Sequence, residues 1–291
     1  MIFRSKDPQQ TERLLLLAPP IIWIAIFLVA PCLLVVGLSF FERGTYGGVV
    51  YHFNLDNYVR AADWLYVKIF LKSFWIAVLT TALAILIGFP VAWFIATAEP
   101  RRQQLLLVLA VLPFWTNYLI RTYAWIVLLN PAGLINGLLQ KLGLVGAEPL
   151  PLLYNDFAVV LGLTYTYLPF MILPLYAAIN RLGRDVIEAS ADLGAPGWRT
   201  LWRIVLPLTL PGIAAGSIFV FVYALGNFIT PALLGGRRTV MVGNLIYDQF
   251  LSARDWPFGS TLAFVLMGVM MALLGLQAYL INRSRRIGTY D

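Results

Sequence analysis

Charged side chains are scarce in this chain. Asp, Glu, Lys and Arg make up 12% of its 291 residues, against roughly 25% in an average soluble protein. There is one cysteine, which excludes a disulfide framework and a cysteine-built metal site. Cys32 lies in an apolar run and reads as a small hydrophobe in packing. The one histidine, His52, has no carboxylate or second histidine close in sequence and reads as a loop residue. No GxxxxGK[ST] loop is present to cradle a nucleotide phosphate, and no HExxH or GxSxG motif occurs. The apolar runs hold no Asp, Glu, Lys or His, so a nucleophile–base pair inside them is excluded. A carrier coupled to protons or sodium places ionisable groups at mid-membrane, and only Arg121 could serve. The chain therefore reads as no enzyme, with no catalytic or metal-ligating residues and no cofactor of its own.

What is present is hydrocarbon. Apolar residues make up 60% of the chain, and they fall in six long runs. A polar start carrying Arg4, Lys6 and Arg13 precedes an uncharged run from Leu14 to Phe41. That run is longer than the core of a secretory signal and reads as a retained first crossing. Pro19, Pro20 and Pro31 are tolerable there because neighbouring groups can satisfy the freed backbone. The next runs are Ser73 to Ala98, Gln103 to about Leu128 (interrupted at Pro113 and Arg121), and Phe157 to Asn180. The fifth starts near Pro207 or Pro211 and extends toward Gly236, and the sixth is Phe258 to Asn282. In the fifth, Gly212 and Gly216 form a GxxxG pair that permits close helix approach. Between the third and fourth runs, Leu134, Leu138, Leu139 and Leu142 predict a short amphipathic helix.

Six crossings place both termini on one side, and the distribution of Lys and Arg says which. Twelve lie in the two termini, the turn at Arg101 and Arg102, and the segment carrying Arg181, Arg184, Arg199 and Arg203. Eight lie in the much longer segments on the other side: Arg43, Arg60, Lys68, Lys72, Lys141, Arg237, Arg238 and Arg254. The denser side reads as cytoplasmic, so both termini do too. The organisation is then 1–68 for the N-terminus, first crossing and outer loop; 69–282 for a five-helix core with a cytoplasmic loop at 181–206; and 283–291 for a basic tail.

That loop is the chain's polar island. Glu188 to Pro207 reads EASADLGAPGWRTLWRIVLP. Asp185 with Glu188 three residues on predicts a helix start with Asp as cap, and Gly194 is placed to end the helix. Pro196 can open a second helix at its first position. There Trp198, Leu201, Trp202 and Val205 would share one face, opposite Arg199 and Arg203. Glu188, Ala189, Gly194, Ile204, Leu206 and Pro207 resemble the loop E-A-A-x3-G-x9-I-x-L-P of ABC-importer permeases, with Ser190 replacing the second Ala. The resemblance implies an all-α integral membrane protein of six transmembrane helices. Its last five would form the type I ABC-importer permease (MetI-like) core. It also implies four kinds of partner: a pair of ATPase subunits, a second homologous permease subunit, an extracytoplasmic substrate-binding protein and membrane lipid, with no nucleic acid. ATP and Mg would sit on the partner ATPase. Glu188, Ala189, Asp192 and Gly194 would dock it, with Glu188 capping and orienting the docking helix.

A broader resemblance concerns the cargo. LPFWTNYLIRTYAWIVLL (112–129), NGLLQKLGL (136–144), YTYLPFMILPLYAAI (165–179), PLTLPGIAAGS (207–217) and VGNLIYDQFLSARDWPFGS (242–260) are similar to the spermidine/putrescine permeases of the bacterial inner membrane. Other branches of the family carry thiamine, iron(III) or phosphonates, and these remain alternatives, as does a non-transporting scaffold that recruits an ATPase. A polycation suits aromatic faces and amide oxygens. The candidates for its path are Trp115, Asn117, Tyr118, Tyr165, Tyr167, Tyr223 and Asn227, with Tyr123 and Trp125 nearby. At the outer mouth Asp156, Asp248 and Asp255 could guide a cation, although Asp255 could instead pair with adjacent Arg254. Arg121 would repel the cargo. It is expected near the outer end of its crossing, snorkelling or paired with a loop carboxylate, in a structural or gating role.

Overall fold

The computed structural model describes residues 8–146 and 148–287. Arg4, Lys6 and the end of the basic tail lie outside these residues, and the side chains of Arg13, Arg184, Arg283, Arg285 and Arg286 are likewise not described. Among the described residues six segments are helical, long and apolar enough to cross a membrane: Leu16–Leu38, Trp64–Thr97, Tyr118–Lys141, Asp156–Asn180, Gly197–Leu225 and Trp256–Tyr279. The chain forms two compact units, Met1–Asp63 with Ile246–Gly268, and Trp64–Leu245 with Val269–Asp291.

In the first unit, α1 (Pro8–Ile24) and α2 (Ala30–Leu38) are joined by a wide π turn, Ala25–Val29. The turn ends two residues before Pro31, whose missing N–H cannot continue an α-helical ladder. Large apolar side chains cover this segment on its outside, with Leu16 78% and Trp23 66% exposed. Such a helix needs lipid or another chain around it. A small hairpin follows, β1 (Glu42–Arg43) paired antiparallel with β2 (Val49–Val50), and then α3 (Asp56–Ala61). Gly47 and Gly48 turn the hairpin at φ +94° and +85°, which residues with a β-carbon rarely adopt. His52 is more than a spacer in a loop. Its Nδ1 lies 2.9 Å from Glu42, and Asn54 donates to the same oxygen at 2.6 Å. These contacts, that of His52 foremost, hold the Glu42 carboxyl below the usual carboxylate range.

The second unit is built on α4 (Trp64–Thr97), α8 (Asp156–Asn180) and α11 (Leu206–Leu225), which pack on one another along their length. α8 is central, with about half its residues buried, among them Val159, Leu163, Met171 and Leu175. Small residues allow the backbones to meet. A β-carbon on Gly216 would come within 2.7 Å of Met171 Sδ, and one on Gly88 within 2.9 Å of Met171 Cγ. One on Gly212 would strike the Pro174 carbonyl at 2.8 Å, so the GxxxG pair marks the α8–α11 contact. Pro90, Pro169, Pro174 and Pro211 sit inside helices, as an apolar solvent with packed neighbours permits. Hydroxyls in the spans bond backward to their own helix, as Thr81 does to Ala77 O and Thr209 to Val205 O.

Two expected spans differ. The third, expected as one helix, is α5 (Pro100–Val111), a 3-10 turn at Leu112–Trp115, and α6 (Tyr118–Leu129). Pro113 withholds a donor, and Asn117 then starts a new helix by accepting from Leu119 N and Ile120 N. The fifth ends at Leu225, about ten residues early, because the chain turns at Asn227, whose Oδ1 accepts from Thr230 N at 2.9 Å. The predicted short helix is α7 (Leu134–Lys141), held by buried Asn136 bonded to Leu150. α4 also starts nine residues before its uncharged run, so Lys68 and Lys72 ride on its first turns. After α11 come α12 (Val242–Leu251) and α13 (Trp256–Ile287).

Candidate functional site

The polar island folds as an elbow. α9 (Gly183–Asp192) ends at Gly194, whose φ of +75° is the left-handed value expected of a glycine closing a helix. α10 (Gly197–Thr200) then runs through a π turn, Leu201–Val205, into α11. Asp185 is not the cap. The helix begins two residues earlier at Gly183, which turns the chain at φ +71°, and Asp185 lies in the first turn where it favours the positive helix end. Glu188 is in mid-helix and caps nothing. Pro196 sits one position before α10, in extended backbone, not at its first residue. The π turn also breaks the expected apolar face: Val205 is buried, while Trp198 and Trp202 are 66% and 64% exposed. Glu188, Ala189, Asp192 and Gly194 are all exposed on this elbow.

One tie that the sequence did not suggest fixes the elbow, and a second joins the helices beside it. Ser190 and Thr200, both buried, share a hydroxyl–hydroxyl bond of 2.8 Å between α9 and α10. Ser190 is the residue that departs from the family loop, and that departure was the available signal. Gln103 on α5 donates to Asn180 Oδ1 at the end of α8, 3.2 Å away, beside a cleft of about 220 Å³ that Gly183 and Ile187 help to line.

Higher in the same unit lies an aromatic cluster centred on an amide. Asn227 Nδ2 donates to the hydroxyls of Tyr118 at 2.7 Å and Tyr167 at 2.6 Å. The Tyr118 hydroxyl also bonds the Thr230 hydroxyl. Tyr223 stacks on Tyr167 with ring centres 5.7 Å apart, and Phe170 lies 5.0 Å from Tyr223 and 5.2 Å from Phe114. Tyr167, Tyr223 and Asn227 line a cleft of about 270 Å³. Its chemistry is π faces plus amide and hydroxyl dipoles, which can hold a cation without fixing it by an opposite charge. The break in α11 at Asn227 and the break between α5 and α6 bring these groups together.

Four of the path candidates thus converge: Tyr118, Tyr167, Tyr223 and Asn227. The others do not. Asn117 spends its side chain capping α6, Trp115 is 79% exposed, and Tyr165 packs edge-on against Trp125 at 5.5 Å. Phe114, Phe170 and Thr230 join the cluster without having been singled out, since apolar rings in a span carry no distinguishing signal.

Arg121 is placed differently from expectation. It is only 8% exposed, and its guanidinium carbon lies 5.7 Å from the centre of the Tyr118 ring and 5.9 Å from that of Phe114. Among the described residues no carboxylate pairs with it and its Nε has no acceptor. The expected ion pair with a loop carboxylate is therefore not made among the described residues. The three acids diverge as well. Asp255 is 2% exposed and pairs at 2.8 Å with Arg60, not Arg254, while its other oxygen accepts from Phe258 N at the start of α13. Asp156 pairs with Lys72 at 2.8 Å and accepts from the Thr239 hydroxyl. Asp248 is exposed.

Residues 88–286 match the family model described as binding-protein-dependent transport system inner membrane component. The spermidine/putrescine transport system permease protein PotB of Escherichia coli is 39% identical over 265 residues, covering 90% of this chain and 96% of that one. PotB of Haemophilus influenzae is 41% identical over 261 residues, covering 90% and 91%. Among solved structures, a bacterial alginate ABC transporter in complex with a pentasaccharide-bound periplasmic protein has a similar chain. Its TM-score is 0.71 at 21% identity, covering 96% of this chain and 97% of that one, a likeness of fold alone. The span of the family match and the identity to these relatives place the chain in the family of inner-membrane permeases of binding-protein-dependent ABC importers.

Proposed function

We propose that this chain is one half of the pore of an ATP-driven importer of polyamines such as spermidine and putrescine. The observation that carries the reading is its 39–41% identity, along nine-tenths of its length, to permeases named for those cargos. The cleft at Asn227 supports it, because stacked tyrosines and one amide suit a flexible cation that must be released again. A second permease subunit completes the pore, and a binding protein delivers the cargo on the outer side. The density of Lys and Arg supports a cytoplasmic elbow and cytoplasmic termini.

Energy enters from a separate ATPase pair that holds ATP and Mg. Closure of that pair moves the elbow, α9 passes the motion to α8, which it follows in the chain, and the Gln103–Asn180 bond carries it to α5. The spans then alternate between outward and inward access. Exposed Glu188, Ala189, Asp192 and Gly194 form the docking face. The test is uptake of labelled spermidine by proteoliposomes carrying the complete complex, with thiamine, iron(III) and phosphonate as competitors. Uptake that requires ATP and is displaced by putrescine alone is expected. Displacement by one of the other solutes, or no spermidine uptake, would overturn the cargo.

A further inference from the structure

Arg121 is the charge that a polyamine path should least tolerate, and it stands near the aromatic cleft at Asn227. It lies one turn after Tyr118 on α6, with its guanidinium over the faces of Tyr118 and Phe114. Tyr118 touches the cleft through its hydroxyl bond to Asn227, and Phe114 touches it through Phe170, which packs on Tyr223. The guanidinium is thus one ring away from the cleft through Tyr118 and two rings away through Phe114 and Phe170. It is nine-tenths buried, with Nε lacking an acceptor and no carboxylate paired to it among the described residues. An ion in that state costs stability where a neutral side chain of similar length would pack. It also lies over a face of Tyr118 and of Phe114, where it competes with any other cation.

We infer that Arg121 is a release device: a permanent positive charge behind the aromatic cleft that keeps a polycation from settling there. It is a specificity-determining and positioning residue, not a contact for the cargo. The inference rests on the polyamine reading and deepens it. In a medium of low dielectric, repulsion between fixed charges is weakly screened, and it grows with the number of ammonium groups on the cargo. The charge therefore sets the penalty for each added amine. It lets the pore discharge a ligand that several rings would otherwise retain.

The test is equilibrium binding of labelled polyamine to the assembled complex in nanodiscs, without binding protein, beside ATP-driven uptake. Arg121→Gln is expected to bind spermidine about tenfold more tightly and putrescine about fivefold, because the repulsion scales with cargo charge. Its uptake turnover should fall. Arg121→Lys keeps the charge and should bind weakly, like the wild type. Unchanged binding in Arg121→Gln, equal changes for the two cargos, or an Arg121→Lys that behaves like Arg121→Gln would overturn the inference. Should Arg121→Gln fail to assemble, the wild-type complex decides alone. Its affinity should fall along a monoamine, diamine and triamine of matched length, and a flat or rising series refutes the device. A wild-type complex that imports another solute and no polyamine overturns the cargo reading, and this inference with it.

Discussion

Asn227→Leu keeps a similar branched shape and removes the polar centre of the cluster. Three hydrogen bonds go with it: two donated to Tyr118 and Tyr167, and one accepted from Thr230 N. Side-chain hydrogen bonds inside membrane proteins average about 0.6 kcal/mol, so three amount to about 2 kcal/mol. Asn227 is half-buried, so the added apolar surface of leucine returns less than the full value of a buried side chain. A net loss of 1–2 kcal/mol is expected, roughly 5- to 30-fold in the folding equilibrium. Reversible unfolding of the purified chain in mixed micelles measures it. Tyr167→Phe alone should cost about 0.6 kcal/mol, and combined with Asn227→Leu it should add little, because the shared bond is already gone. A change below about 0.5 kcal/mol for Asn227→Leu, or full additivity of the pair, would refute the view that the amide holds the rings together.

Other parts of the molecule give further expectations. Gly212→Ala places a β-carbon against the Pro174 carbonyl, which cannot yield, and should cost 1–3 kcal/mol in the same unfolding assay. Asp255→Ala removes the carboxylate that pairs with Arg60 and accepts from the Phe258 N–H. Arg60 is partly solvated, so the loss should sit near the lower end of the range for broken buried pairs, about 3 kcal/mol. Gly194→Val forces a β-branched residue to φ +75°, a strain of about 1–2 kcal/mol. It should lower spermidine uptake per ATP hydrolysed while leaving membrane assembly intact. The Glu42 carboxyl is held below its ordinary value of 4.5, so its contribution to the hairpin is complete above that pH. The contribution is lost as pH falls through the lowered value. A spin label at Tyr46→Cys in a Cys32→Ser background should grow more mobile only below about pH 4.5, and mobility rising at neutral pH would contradict the assignment.

Features set by local pattern were legible in the sequence. Uncharged runs marked the crossings because the membrane demands them of every residue in turn. Gly194 could be placed because only a residue without a β-carbon suits the left-handed turn that ends α9. The lightly informative GxxxG pair did mark a close contact, although its partner, α8, could be named only from the packing. Pairings between distant residues were not legible. Arg60 finds Asp255 from 195 residues away, and nothing near either predicts it. Asn117 looked like a polar group for the cargo, yet the helix break after Pro113 creates orphan N–H groups that claim it first. Ser190 stands where the family loop has its second Ala, and its hydroxyl partner Thr200 lies on the far side of a turn. Asp185 had the spacing of a cap, but Gly183 started the helix earlier.

The central claim is that this pore has no engine and is driven through the elbow of residues 183–205. The most direct measurement is ATP-driven spermidine uptake by the complete complex carrying Glu188→Arg, beside the affinity of the ATPase for the permease pair. The account predicts that both fall at least tenfold while the permease still assembles in the membrane. Uptake and ATPase affinity at wild-type levels with the reversed charge would contradict it.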